Sequence, residues 1–168
     1  MYRTIEIGGK DYRQEFTVEA SLNHDCIEKL INFITGAAMA SSIDVEGLSD
    51  EEAVKVIEEA AKEGIKSMSD VPSVALQLWY AGFLEYHGPE GDGTVKTLKD
   101  AKNLYRQYRE EHKEDGSFYD IITMCIEQME ADGFFELTGI SKMLTPDTKT
   151  KKTPQDHKKK ASKVTAMP

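Results

Sequence analysis

Hydrophobic and polar positions divide this chain into an alternating start, a series of stretches with helical period, and an aperiodic end. Tyr2 to Ile7, YRTIEI, alternates and is rich in β-formers. Gly8-Gly9-Lys10-Asp11 is a hairpin turn signal, and Tyr12 to Val18, YRQEFTV, reads as the return strand. An isolated hairpin is marginal in water, so this one must pack on the helices or pair with another chain. Its unpaired edge is one route to self-association between subunits.

Five helices are expected after the hairpin. The first runs from Ala20 to about Met39, with Leu22, Cys26, Ile27, Leu30, Ile31, Phe33, Ile34 and Ala37 on one wide apolar face. Ser49 then opens SDEE, where Glu52 is placed for a capping box. That second helix should reach Glu63 and close at Gly64, with Ala53, Val56, Ile57 and Ala60 apolar and the other face acidic. Asp70 is a cap candidate for a third helix, with Pro72 in its first turn. Its body, Val74 to Tyr86, is apolar nearly all round and should be buried on several sides, with Gly82 permitting close helix packing.

His87 to Gly93, HGPEGDG, reads as a loop. Only Glu90 and Asp92 supply carboxylates there, too few for a calcium loop of EF-hand type, so a solvated turn is the simpler reading. Thr97 can cap a fourth helix, Leu98 to about His112, with Leu98, Ala101, Leu104, Tyr105 and Tyr108 facing inward. Lys99, Lys102, Arg106 and Arg109 lie elsewhere on that helix, whose simplest reading is a solvated basic face. Ser117 is an N-cap candidate with Asp120 three residues on, opening a fifth helix from Phe118 to about Asp132. Its apolar residues are Phe118, Ile121, Ile122, Cys125, Ile126 and Met129. Gly133 stops it, and Phe134 and Phe135 follow. No hydrophobic period returns after Gly139, and a polar segment rich in Lys, Thr and Pro cannot offset its ordering entropy. The expected organisation is a mainly α domain over residues 1–139, with an N-terminal β-hairpin, and a disordered basic tail over 140–168.

Charge sharpens that division. Eight lysines against two aspartates give residues 140–168 a net charge of +6, while the other 13 basic and 28 acidic side chains give residues 1–139 a net −15. An acidic body argues against nucleic-acid binding by the folded part. It serves solubility in the plain reading, and docking to a basic partner in the sharper one. Lys151-Lys152 and Lys158-Lys159-Lys160 are short basic runs of the kind common in solubilising tails. No apolar run is long enough to span a bilayer, and no basic-then-apolar start marks a secretory signal, so the protein is expected to stay where it is made.

Catalytic chemistry finds no foothold in the sequence. There is no Gly-rich phosphate loop after a strand, no GxSxG, no HExxH and no CxxC pairing. Glu51-Glu52 and Glu58-Glu59 belong to a polar helix face rather than a cleft. Cys26 and Cys125 sit inside apolar patterns and read as buried thiols, and the four histidines lie on different segments without metal-ligand spacing. Trp79 and Tyr80 could line a pocket, but aromatics in an all-apolar helix are core more often than ligand platform. No catalytic, cofactor or metal residue is therefore expected, and no partner-binding residue is assigned.

Three segments carry a resemblance. YRTIEIGGKDYRQEFTVEASL at the start, DVPSVALQLWYAGFLEYHG in the middle and FYDIITMCIEQMEADGFFELTG near the end resemble tail assembly chaperones of long, non-contractile-tailed phages and prophages of Gram-positive bacteria. The resemblance covers about residues 1–139 and rests on the order of hairpin, helices and double-Phe segment. It implies a mostly helical, non-enzymatic protein of the host bacterial cytoplasm. Such a protein coats the tape measure protein, keeps it soluble, recruits tail tube protein, and leaves before the virion is finished. It also implies partners beyond those two, namely copies of itself and a longer form made by programmed ribosomal frameshift. The alternative from another class is a small structural tail or connector protein retained in the particle. A third is a host adaptor that binds nucleic acid through the lysine tail, which the acidic body disfavours.

Overall fold

The computed structural model describes residues 1–41 and 49–144. The chain is mainly helical, with a two-stranded antiparallel hairpin at its N-terminus. Strand β1 spans Arg3–Ile7 and β2 spans Lys10–Gln14, with Ile5 opposite Tyr12 and Ile7 opposite Lys10. Gly8 and Gly9 both have positive φ (62° and 70°), as a two-residue turn of type I′ requires. The turn therefore consumes two residues rather than four, and the return strand starts at Lys10 instead of Tyr12. It also ends four residues earlier than the alternation predicts. After Gln14 the backbone leaves the ladder: the Glu15 N–H donates to the Gly82 carbonyl (2.9 Å) and the Phe16 N–H to the Asp132 carboxylate (2.8 Å).

The helical segments are α1 (Val18–Leu22), α2 (His24–Ser41), α3 (Asp50–Ala81), α4 (Leu84–His87), α5 (Leu98–Glu111), α6 (Phe118–Ala131), α7 (Phe134–Thr138) and α8 (Ile140–Leu144). Several boundaries correct the reading of the sequence. The first expected helix is two, because the Asn23 side chain accepts the Cys26 N–H (2.9 Å) and so interrupts α1 and restarts the chain as α2. Leu22, expected on the inner face, ends α1 at 72% exposed, whereas Cys26 and Leu30 are buried. The side chains of Ala37, Ala53, Ile57 and Ala60 lie outside the described residues.

The second and third expected helices are one. Helix α3 runs without a break through Gly64 and through Pro72, so neither acts as the stop or start that its type signals. Proline in a helix interior costs about 3 kcal/mol. Here Pro72 is on the exposed side, where water can take up the carbonyl that the missing N–H leaves. The following turns bury Val74, Ala75, Leu78 and Trp79 against α2, α5 and α6, and tertiary burial outweighs local propensity. This stretch is buried on several sides as expected, with Leu76, Gln77 and Tyr80 half-buried, but the helix ends at Ala81 rather than Tyr86 and Phe83 beyond it is still buried. Gly82 is not a helix–helix contact point: a Cβ there would lie 2.7 Å from Gln14 Cγ and 3.0 Å from Phe16 Cζ. The end of β2 and the chain just after it are pressed onto it.

Helices α5 and α6 match expectation. Both carry reciprocal capping boxes, Thr97 with Asp100 and Ser117 with Asp120. Ala101, Leu104, Tyr105 and Tyr108 of α5 are buried, as are Ile121, Ile122, Cys125 and Met129 of α6, while Leu98 is half-buried. Phe134 packs edge-on against Phe16 (5.6 Å between centroids). The core thus lies between the inner face of the hairpin, the C-terminal half of α3, α5 and α6. Ile140, read from the sequence as the first tail residue, is 3% exposed and belongs to this core. One buried side chain leaves no period for a pattern to detect. Residues 140–144, expected to open the disordered tail of 140–168, form α8 instead, and the rest of that tail, 145–168, lies outside the described residues.

Candidate docking surface

The hairpin is clamped rather than free. Arg3 donates to the Met124 carbonyl (3.1 Å) and pairs with Glu127 (3.3 Å), and the Gly8 N–H sits 3.0 Å from both carboxylate oxygens of Glu111. On the β2 side the Arg13 N–H donates to Nε2 of His87 (2.9 Å). That bond and the one from Glu15 to Gly82 take two outer donors of this edge out of play for strand addition.

His87 organises the loop that follows α4. Its Nε2 accepts from Arg13, so Nδ1 carries the proton and donates to the Asp92 carboxylate (2.8 Å). Asp92 also accepts from the Thr94 N–H (2.9 Å) and hydroxyl (2.7 Å), while the Val95 N–H donates to the His87 carbonyl (2.7 Å). The turn expected here is solvent-exposed from Pro89 to Asp92 and is also hydrogen-bonded internally, with the Asp92 carboxylate already employed. Burial pushes the Asp92 carboxyl up, but the bonds from Thr94 and His87 outweigh it and hold the group below the ordinary carboxylate value. Because the folded value lies below the unfolded one, this contribution is complete above the unfolded value of 3.8 and is lost as pH falls through the folded value. Amide exchange at Thr94 and Val95, corrected for intrinsic rates, is therefore expected to lose a few-fold protection between about pH 6 and pH 3. Asp92→Asn should show the low protection at both pH values. Unchanged protection in the wild type across that range would remove the claim. Asp92 is half exposed, so the effect is local and small.

The buried thiols offer no nucleophile. Burial pushes Cys26 up to about 12 and Cys125 higher still, so neither supplies thiolate near neutral pH. Trp79 is fully buried and lines no pocket, while the half-buried Tyr80, whose hydroxyl donates to the Lys96 carbonyl (2.9 Å), faces a depression without it.

A concave surface forms instead along α5. Lys102, Arg106 and Arg109 follow one another at helical spacing on α5, Lys113 lies just past its end, and all four are exposed along a groove of about 560 Å³. Leu76 from α3, Tyr105 from α5 and Phe118 from the start of α6 form its apolar floor, and Glu110 is its one carboxylate. Tyr105 and Phe118 stack (4.9 Å, 24°), and the Tyr105 hydroxyl donates to the Gly116 carbonyl (2.9 Å), which fixes the floor. A solvated basic face is thus only part of the description of α5: three of the four basic residues named from the sequence line this groove, Lys99 does not, and Lys113 joins them. The stripe is visible as i, i+4, i+7 spacing, but of its apolar floor only Tyr105 belongs to the same helix, while Leu76 and Phe118 come from α3 and α6. A second, open depression of about 300 Å³ lies beside α1, with Leu22, Tyr80 and Leu84 among its walls. Leu22 and, one turn before it on α1, Val18 are largely exposed.

Among the described residues no three His, Cys, Asp or Glu side chains are grouped to hold a metal ion, and no helix is long and apolar enough to cross a membrane. No family model, curated protein or solved structure matches the chain.

Proposed function

We propose that this protein is a phage tail assembly chaperone, acting by binding rather than catalysis in the host bacterial cytoplasm. It holds the tape measure protein soluble, helps to recruit tail tube protein, and is absent from the finished particle. The observation that carries the reading is the resemblance of residues 2–22, 70–88 and 118–139, in that order, to this family. Two features of the surface support it. An apolar-floored groove and the exposed face of α1 offer sites for another chain, and the acidic body supplies charge that keeps a complex in solution.

A long helical chain with exposed apolar stripes aggregates when alone. A chaperone that is later displaced needs modest affinity per site, and many copies along one chain then hold it through multivalency. Co-expression is therefore expected to move the cognate tape measure protein from the pellet to the soluble fraction, with several copies of this protein bound per chain. Persistent insolubility, tested also with any frameshifted long form supplied, would overturn the proposal. Mass spectrometry of purified virions separates the alternative: a structural tail or connector protein is retained there, and a chaperone is not.

A further inference from the structure

We infer that the α5 groove binds an acidic amphipathic helix of another protein chain. The stripe from Lys102 to Arg109 covers about 10 Å of the α5 axis at 1.5 Å per residue, and Lys113 follows just past the helix end. That is two turns, the length over which a partner helix lying alongside presents apolar residues at i, i+3 or i+4, and i+7. Leu76, Tyr105 and Phe118 form the apolar floor for those anchors. The partner's flanking carboxylates would face Arg106 and Arg109, whose planar guanidinium groups pair with them in bidentate geometry.

Charge decides the class of partner. None of the four cations has a carboxylate within 4.0 Å among the described residues, although Glu110 shares the groove. These cations stand on a body of net charge −15 over residues 1–139. A nucleic acid would satisfy the stripe but would run on past it over acidic surface, where repulsion exceeds the gain once the stripe is filled. A short acidic helix ends where the stripe ends. The surrounding negative charge then disfavours every other register, which makes the stripe a specificity device as well as an attraction.

This inference deepens the proposed function and rests on that reading only for the identity of the partner; the chemistry of the groove stands without it. If the partner is the tape measure protein, the segment bound is one with apolar anchors flanked by Asp and Glu.

The test uses the full chain and fluorescence anisotropy with labelled probes of about 18 residues. One probe is an amphipathic helix with Leu and Phe on one face and Glu on its flanks. A second replaces Glu by Lys, a third scrambles the acidic sequence to destroy the apolar face, and a fourth is single-stranded DNA of equal charge. The acidic amphipathic probe is expected to saturate at micromolar concentration and to weaken at roughly 0.5 M salt. Arg106→Glu with Arg109→Glu, and separately Lys102→Glu with Lys113→Glu, should each weaken it by about tenfold or more, with unchanged circular dichroism because all four side chains are exposed. The Lys and scrambled probes should not saturate. No binding of the acidic probe, equal binding of the scrambled probe or the DNA, or unchanged affinity in both folded double variants would each overturn the inference. The peptide and co-expression assays fail separately. A soluble tape measure protein beside a silent groove removes the groove alone, and a groove that binds beside an insoluble tape measure protein removes the chaperone alone.

Discussion

Replacing Trp79 by alanine is expected to cost roughly 3–5 kcal/mol of folding stability, the range for truncating a fully buried aromatic side chain. Trp79 has no exposed surface, and its ring meets Phe83 edge-on (4.9 Å, 84°), Tyr108 at a tilt (5.2 Å, 48°) and Tyr105 more distantly (6.4 Å). It therefore joins α3 to α5, and alanine would leave a cavity that two separately anchored helices cannot both close. One feature works the other way: the indole Nε1 is buried without a hydrogen-bond partner. An orphaned donor costs about 1–3 kcal/mol, and phenylalanine removes it while keeping most of the ring volume. Trp79→Phe should consequently cost less than half as much as Trp79→Ala in equilibrium urea unfolding. An alanine variant within about 1 kcal/mol of the wild type would place Trp79 outside the core's support. Since Tyr105 is both a neighbour of Trp79 and part of the groove floor, Trp79→Ala should also loosen the docking surface.

Asp132→Ala should produce the second large loss, roughly 2–3 kcal/mol. The Asp132 side chain is only 2% exposed. Its carboxylate accepts from the Phe16 N–H (2.8 Å), from Gln128 Nε2 (2.9 Å) and from the Met1 amino group (3.0 Å). Bonds to a charged acceptor contribute about 1.5–3 kcal/mol, and alanine would leave the Phe16 amide facing a dry interior. Phe16 is itself buried against Phe134, so the loss should spread to the seam between the end of the hairpin and α7. Asparagine keeps one carbonyl acceptor and should cost less than alanine. Urea unfolding gives the stability, and hydrogen exchange at the Phe16 amide gives the mechanism. Full protection of that amide in Asp132→Ala would mean that another acceptor serves it.

Neither effect is visible along the chain in the same way. Trp79 belongs to an apolar run, and its burial follows from the run alone. Asp132 reads as one more acidic residue before a helix-stopping glycine, and its partner Phe16 is 116 residues away. The same contrast separates the elements that were legible from those that were not. Thr97 and Ser117 cap α5 and α6 through bonds to residues three positions on, so the signal and the structure are equally local. Gly8-Gly9 sets a hairpin for the same reason, since only the turn's own backbone must take positive φ.

Where neighbours compete with local preference, the sequence alone misleads. Pro72 and Gly64 mark helix ends by type, yet α3 passes through both because the burial of its later turns outweighs the cost of proline. Asn23 and Gly82 break helices that periodicity runs through. In the first case a side-chain oxygen substitutes for the ladder, and in the second Gln14 and Phe16 press on the backbone.

The sequence by itself therefore determined the mainly helical class, the N-terminal hairpin, the caps of α5 and α6 though not the cap read at Asp70, the burial of Trp79, Cys26 and Cys125, and the basic face of α5. Each of these depends on residue type and short-range spacing. Only the tertiary structure decided that two expected helices are one, that Ile140 joins the core, that His87 and Asp132 tie the hairpin to the helices, and that the basic face borders an apolar groove. Each of those is set by side chains brought together from distant parts of the chain, and the free energy of such contacts appears only when the elements pack.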